Sequence, residues 1–174
     1  MSTVNMDLLH ESAVIRCNIQ IMYAKLKEND ARYFTYVLLL QDGKIYVGST
    51  DNIYTRLYDH FTGAETSANW VKEHGPPIRV IEIVEKSEPN DEYYKFCEFA
   101  SKFGFDNVRG GPYCRVVLRE PTCVKTFVHS TRPFKYLSRD DINSIVSRVK
   151  FLIQRTSSNA TGRQQEQLIT QTDE

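Results

Sequence analysis

Residues 33–40 (YFTYVLLL) and 45–48 (IYVG) are two apolar, β-rich runs separated only by Gln41-Asp42-Gly43-Lys44. An Asp-Gly pair between such runs constrains the fold more than any other local signal, because the central positions of a tight hairpin turn take positive φ. Two neighbouring antiparallel strands follow from it. Past Gly48 the period changes. Ile53, Leu57 and Phe61 recur every four residues, which predicts a helix with its core face on that stripe, capped by Thr50 or Asp51. A hairpin strand that runs into a helix brings Tyr46, Gly48, Arg56 and His60 to one corner.

The remaining elements follow from pattern. Val14, Ile15, Ile19, Met22 and Leu26 predict an amphipathic helix over 11–29, packed on the domain or used as a dimer contact. Residues 62–77 read as a loop with a short helical turn at Trp70, which is expected to be a packing residue. Residues 78–84 (IRVIEIV) alternate and predict a third strand. Pro89-Asn90-Asp91 opens a helix that Gly104 stops near Phe103. RVVL (115–118) and VKTFV (124–128) read as short extended segments. Ser138 with Asp141 forms a capping box ahead of a helix whose core face is Ile142, Ile145, Val146, Val149, Leu152 and Ile153. Residues 156–174 are polar and read as a disordered tail.

The expected architecture is α+β, a small and mainly antiparallel three-stranded sheet flanked by helices. Its parts are an N-terminal helical extension (1–32), a central domain (33–113), a basic segment with a terminal helix (114–155) and the tail (156–174).

Charge is uneven along the chain. Lys and Arg number 22, as do Asp and Glu, so the net charge is zero. Residues 1–100 hold 10 basic and 15 acidic side chains, whereas residues 101–155 hold 11 and 4. Such a basic segment is either a polyanion-facing surface or a solvated face. Cys17, Cys97, Cys114 and Cys123 form no C-x-x-C pair and no zinc-finger spacing. Cys97 falls in an apolar helical pattern and reads as buried. With no signal peptide, the expectation is an intracellular protein, in cytoplasm or nucleus. No apolar run approaches the roughly 20 residues that span a bilayer, so no membrane partner is expected.

Thr35-Tyr36-Val37 and Tyr46-Val47-Gly48 place two tyrosines ten residues apart across the hairpin. Arg56 and His60 follow at i and i+4, on one helix face. In this order and spacing, residues 35–60 (TYVLLLQDGKIYVGSTDNIYTRLYDH) resemble the opening of a GIY-YIG endonuclease domain. The resemblance covers roughly residues 33–113. It includes GFDNVRGGPY (104–113), which is similar to a segment of virus-encoded and related members. Thr35 stands where the family's first triplet has glycine.

The resemblance implies an endonuclease that hydrolyses DNA phosphodiester bonds with Mg²⁺ or Mn²⁺, in repair, recombination, restriction, mobile-element or viral DNA processing. Its DNA preference and its oligomeric state, a homodimer included, stay open. The alternative is a catalytically inactive nucleic-acid-binding or interaction module on the same fold. The chemistry suits these residue types. Phosphodiester hydrolysis needs an activated water and stabilised phosphoryl oxygens. Tyr36 or Tyr46 can converge on that water, and a tyrosine of pKa about 10 acting as base needs nearby positive charge. Arg56 and His60 are read as supplying it, and Arg56 as gripping the phosphate. Gly48 is read as easing the strand-to-helix turn.

The family takes a metal-binding carboxylate from the helix after the third strand. Two glutamates compete there. Glu92 lies about 75° from the centre of the helix's buried face and Glu98 about 165° away, so Glu92 is preferred and Glu98 is the alternative. Asn107 is implied as an active-site support. Lys44, Arg109 and Arg115 are read as nucleic-acid contacts, Arg109 with Gly110-Gly111 allowing close approach.

Overall fold

The computed structural model describes residues 33–117, 130 and 132–170. The helix expected over 11–29, the segment 124–128, Cys17 and Cys123 lie outside them. Strands β1 (Phe34–Leu39) and β2 (Ile45–Thr50) pair antiparallel, with Tyr36 opposite Gly48. Asp42 and Gly43 take φ of 56° and 69° in the turn, the positive values that an Asp-Gly pair tolerates.

Helix α1 (Ile53–Thr62) follows β2 and ends at Gly63, φ 66°. Its cap is Asn52, whose side chain accepts from the Thr55 N–H at 3.1 Å, rather than Thr50 or Asp51. Thr50 acts one step earlier, accepting the Asn52 N–H at 3.0 Å. Helix α2 (Asn69–Glu73) is the short turn around Trp70. Strand β3 (Arg79–Glu85) pairs antiparallel with β1, with a register shift at Val37/Leu38. Helix α3 (Asp91–Phe103) stops at Gly104, φ 84°.

Two further strands correct the three-stranded expectation. β4 (Val108–Gly110) pairs parallel with β2, and β5 (Lys135–Tyr136) pairs antiparallel with β3. The sheet is therefore mixed and five-stranded, in the order β4-β2-β1-β3-β5. Segments of three and two residues carry no periodicity, so pattern alone could not announce them. Helix α4 (Arg139–Thr170) starts at the capping box, with the Asp141 N–H donating to Ser138 Oγ at 3.1 Å. It runs across residues 156–170, where composition predicts disorder. Hydroxyls there fold back on the helix, as Thr156 does onto the Leu152 carbonyl at 2.9 Å. No helix among the described residues is long and apolar enough to cross a membrane.

Both faces of the sheet are covered, which explains why β1 reads as unbroken apolar sequence. One core joins Tyr36, Leu38 and Tyr46 to Ile53 and Leu57 of α1, Trp70 of α2 and Ile142, Ile145 and Val149 of α4. The other joins Val37, Ile45 and Val47 to Phe96, Cys97 and Ala100 of α3 and to Val108. The side of α3 opposite that core is covered as well. Lys95 is fully buried, bonded to Glu82 at 2.7 Å, Glu98 at 2.8 Å and the Tyr136 hydroxyl at 2.5 Å. Its ammonium also sits 4.7 Å from the ring centres of Phe134 and Tyr136. One lysine thus joins α3 to β3 and β5.

Lys95→Ala strands two carboxylates beside the sheet, and the expected loss is about 2 kcal/mol. Lys102→Ala removes only an exposed partner of Glu98 and is expected to cost less than about 0.5 kcal/mol. Urea unfolding of both variants measures the contrast, and equal losses would refute the assignment of Lys95 as the junction.

Candidate active site

Tyr36 projects from β1 and Tyr46 from β2 into the core that α1 covers. Their ring centres are 6.3 Å apart, and the His60 ring lies 5.7 Å from Tyr36 and 5.4 Å from Tyr46. This packing requires Gly48. A methyl added there would lie 2.4 Å from the Tyr36 hydroxyl and 2.9 Å from Tyr46 Cε1. Gly48 sits inside β2 opposite Tyr36, so its role is the space it leaves and not the easing of a turn. Thr35, on the other face, is fully buried and shares a 2.5 Å hydrogen bond with the Ser87 hydroxyl. A side chain at the first triplet position is therefore accommodated.

The Tyr36 oxygen accepts from Arg56 Nε at 3.1 Å and lies 2.9 Å from His60 Nε2. The tautomer that pairs every group has the phenol O–H donating to His60 Nε2 and the Nδ1–H donating to Ser67 Oγ, 2.8 Å away. Arg56 is anchored a second time, through Nη1 to the Thr66 carbonyl at 2.6 Å. Residues 66 and 67 belong to the loop between α1 and α2. Sequence reasoning passed over them, because nothing local marks them as partners of α1.

Burial sets the protonation states. It lifts the Tyr36 phenol well above its ordinary value, with Tyr46 adding to the rise and Arg56 opposing it. It pushes Tyr46 up to about 12, again against Arg56. Burial and Arg56 together hold His60 down to about 3. His60 is thus a neutral member of a hydrogen-bond chain. The expectation that it supplies positive charge fails, since a fully buried imidazole beside a guanidinium stays unprotonated. Arg56, half-buried, is the cation of the cluster.

Glu92 joins the cluster and Glu98 does not. Ser49, next to Gly48 on β2, donates to Glu92 Oε2 at 2.5 Å, and the Gly111 N–H donates to Oε1 at 2.9 Å. The Glu92 charge contributes to the raised pKa of both tyrosines. Glu98 is bound to Lys95 and Lys102 instead. The Glu92 carboxylate fits a divalent cation. Each oxygen accepts one hydrogen bond and keeps a lone pair, and Mg²⁺ commonly takes one or two carboxylates with water and substrate phosphates. No cluster of three or more His, Cys, Asp or Glu exists among the described residues, so such a cation would rely on those other ligands.

The residues read as nucleic-acid contacts divide. Arg109 is 3 % exposed, with its guanidinium 4.6 Å from the Trp70 ring centre and 4.5 Å from that of Phe105. Its nitrogens donate to the carbonyls of Phe105 (2.5 Å), Val108 (2.9 Å), Arg115 (2.8 Å) and Val116 (3.0 Å). It is a buried clamp, because the parallel pairing of β4 with β2 turns it inward, and it is not a phosphate contact. Lys44 is held by Asn107 Oδ1 at 2.9 Å and by the Asp106 carbonyl at 3.3 Å. Asn107 also donates to the Phe103 carbonyl at 2.8 Å, closing the end of α3. Arg115 is exposed. Trp70 is buried as expected, its indole N–H on the Ile45 carbonyl at 3.0 Å.

Two outcomes follow. Gly48→Ala should separate Tyr36 from His60 and cost about 1–3 kcal/mol, read from urea unfolding and from the hydroxyl resonances of the buried tyrosines. An unchanged Tyr36–His60 contact would show that the glycine is dispensable. The second concerns pH. The folded pKa of His60, about 3, lies below its unfolded value of about 6.5. Its contribution is therefore fully present above pH 6.5 and is lost as pH falls towards 3. His60→Gln should flatten the stability profile relative to wild type by about 1.4 kcal/mol per pH unit between pH 6 and 4. Parallel profiles would mean that His60 is not held neutral.

No curated protein and no solved structure gave a significant match to the chain. A family model did: residues 32–98, the stretch that holds Tyr36, Tyr46, Arg56, His60 and Glu92, match the GIY-YIG catalytic domain.

Proposed function

We propose that the chain is a GIY-YIG-type endonuclease that hydrolyses DNA phosphodiester bonds with Mg²⁺ or Mn²⁺ as cofactor. One observation carries the reading: two tyrosines, an arginine and a histidine from β1, β2 and α1 converge on one hydrogen-bonded cluster, with a braced carboxylate beside it. Glu92 holds the cation. A cation there would polarise the phosphoryl oxygen and lower the pKa of bound water. Tyr46 retains slight exposure (5 %) while Tyr36 has none, which makes Tyr46 the phenol that faces water and phosphate. Tyr36, His60 and Ser67 form the layer beneath and keep Arg56 in place. The Arg56 guanidinium meets the charge that develops on the phosphoryl oxygens. Arg115, exposed beside the site, contacts the nucleic-acid backbone.

A second reading has its own observation. Burial keeps both phenols protonated and His60 neutral, which suits a module that binds nucleic acid without cutting it. One experiment separates the two. Labelled duplex, single-stranded, flap and branched DNAs are incubated with Mg²⁺ or Mn²⁺ and wild type, Arg56→Ala, Glu92→Ala or Glu98→Ala. Metal-dependent cutting should fall at least about 100-fold in Arg56→Ala and in Glu92→Ala, and persist in Glu98→Ala. Binding with no cutting of any substrate would establish the non-catalytic module.

A further inference from the structure

A cleft of about 220 Å³ opens between the end of α1, the start of β3 and the first turns of α4. Phe61, Ile78 and Val146 line part of it, and three cations reach it: Arg79, Arg139 and Lys150. None of the described residues that line it is acidic. The three cations are held differently. Arg139 donates to the Val80 carbonyl at 2.8 Å and to the Ile81 carbonyl, which fixes its guanidinium against the edge of β3. Lys150 lies 5.6 Å from the Phe61 ring centre. Arg79 is exposed on β3.

We infer that this cleft is a second phosphate-binding site, which holds the backbone of the nucleic acid that the tyrosine cluster acts on. The inference rests on the nuclease reading above. Charge complementarity selects an anion, and position selects the nucleic acid over an acidic protein. Arg56 and Phe61 flank the buried stripe of α1 on opposite sides, about 140° apart in helical phase. The two residues are five apart on the same helix, about 7.5 Å along its axis. One strand of duplex DNA carries a phosphate about every 3.4 Å along its own axis, so a single backbone can reach from one to the other within a few phosphates. Two of the three cations come from Arg139 and Lys150 of α4, which lies beyond the matched residues 32–98. The C-terminal helix would thereby add grip to a site built by the domain before it.

The test is the salt dependence of DNA binding without metal, so that no cutting intervenes. Fluorescence anisotropy of a labelled duplex is followed from 50 to 300 mM KCl for wild type and for the double variant Arg79→Ala with Lys150→Ala. Arg139 is left intact because it supports β3. Loss of two phosphate contacts should reduce the slope of log K against log [salt] by about 1.8. An unchanged slope in a protein that still cuts DNA would overturn the cleft and leave the nuclease standing. So would loss of binding to poly-glutamate with an unchanged DNA slope, which would reassign the cleft to an acidic protein. A wild type that neither binds nor cuts DNA would end both readings. Charge reversal, Arg79→Glu with Lys150→Glu, should lower the slope further, and a slope equal to wild type there also refutes the site.

Discussion

The site depends on one close approach: the Tyr36 ring lies against the bare backbone of Gly48, its cross-strand partner. Facing positions in adjacent strands normally share the space between them. Here one partner gives up all of it. The phenol therefore lies flat enough for its oxygen to meet both Arg56 and His60 from α1. The helix reaches those positions because β2 passes into it within a few residues. Strand pairing, the missing side chain and the short corner are thus one arrangement seen at three scales.

The C-terminal half of the domain is organised around the opposite device, a large side chain rather than an absent one. Among the described residues Arg109 has no carboxylate hydrogen-bond acceptor and donates to four carbonyls, between Trp70 and Phe105. A buried guanidinium is costly unless its hydrogen bonds are made. Two of the four are made to Arg115 and Val116 in the loop after Gly110-Gly111, so part of the cost of burying the charge is offset only while that loop is in place. The same loop presents the Gly111 N–H to Glu92. The carboxylate at the site is accordingly oriented from two directions, by Ser49 on the sheet and by a backbone amide that Arg109 steadies at a distance.

The hairpin, α1, β3 and α3 were legible because each carries a local signal: an Asp-Gly turn, a four-residue repeat, an alternation, a glycine stop. Tyr36, Tyr46, Arg56 and His60 were legible as a set because their spacing is itself local. Glu92 was separable from Glu98 by helical phase. The misreadings share a cause. Arg109 beside two glycines looks like a phosphate contact until β4 is seen to pair with β2. His60 looks like a charge donor until Ser67 and the strands bury it. In each case the deciding neighbour lies far away in sequence or in a segment too short to show a period.

That burial bears on how such a site could work. In the free protein the phenols keep their protons and His60 stays neutral, because the three side chains are buried and Arg56 beside them is a cation. On the function proposed above, a phosphodiester would add negative charge at that edge, and a divalent cation on Glu92 would add positive charge. The two push the phenols in opposite directions. A cation favours the phenolate, while a phosphate alone disfavours it further. On that reading the phenols would give up their protons more readily with the cation present than with substrate alone. Burial of the tyrosines would then tie their chemistry to a cation that offsets the substrate's charge, which links the packing against Gly48 to the conditions under which such a site could act.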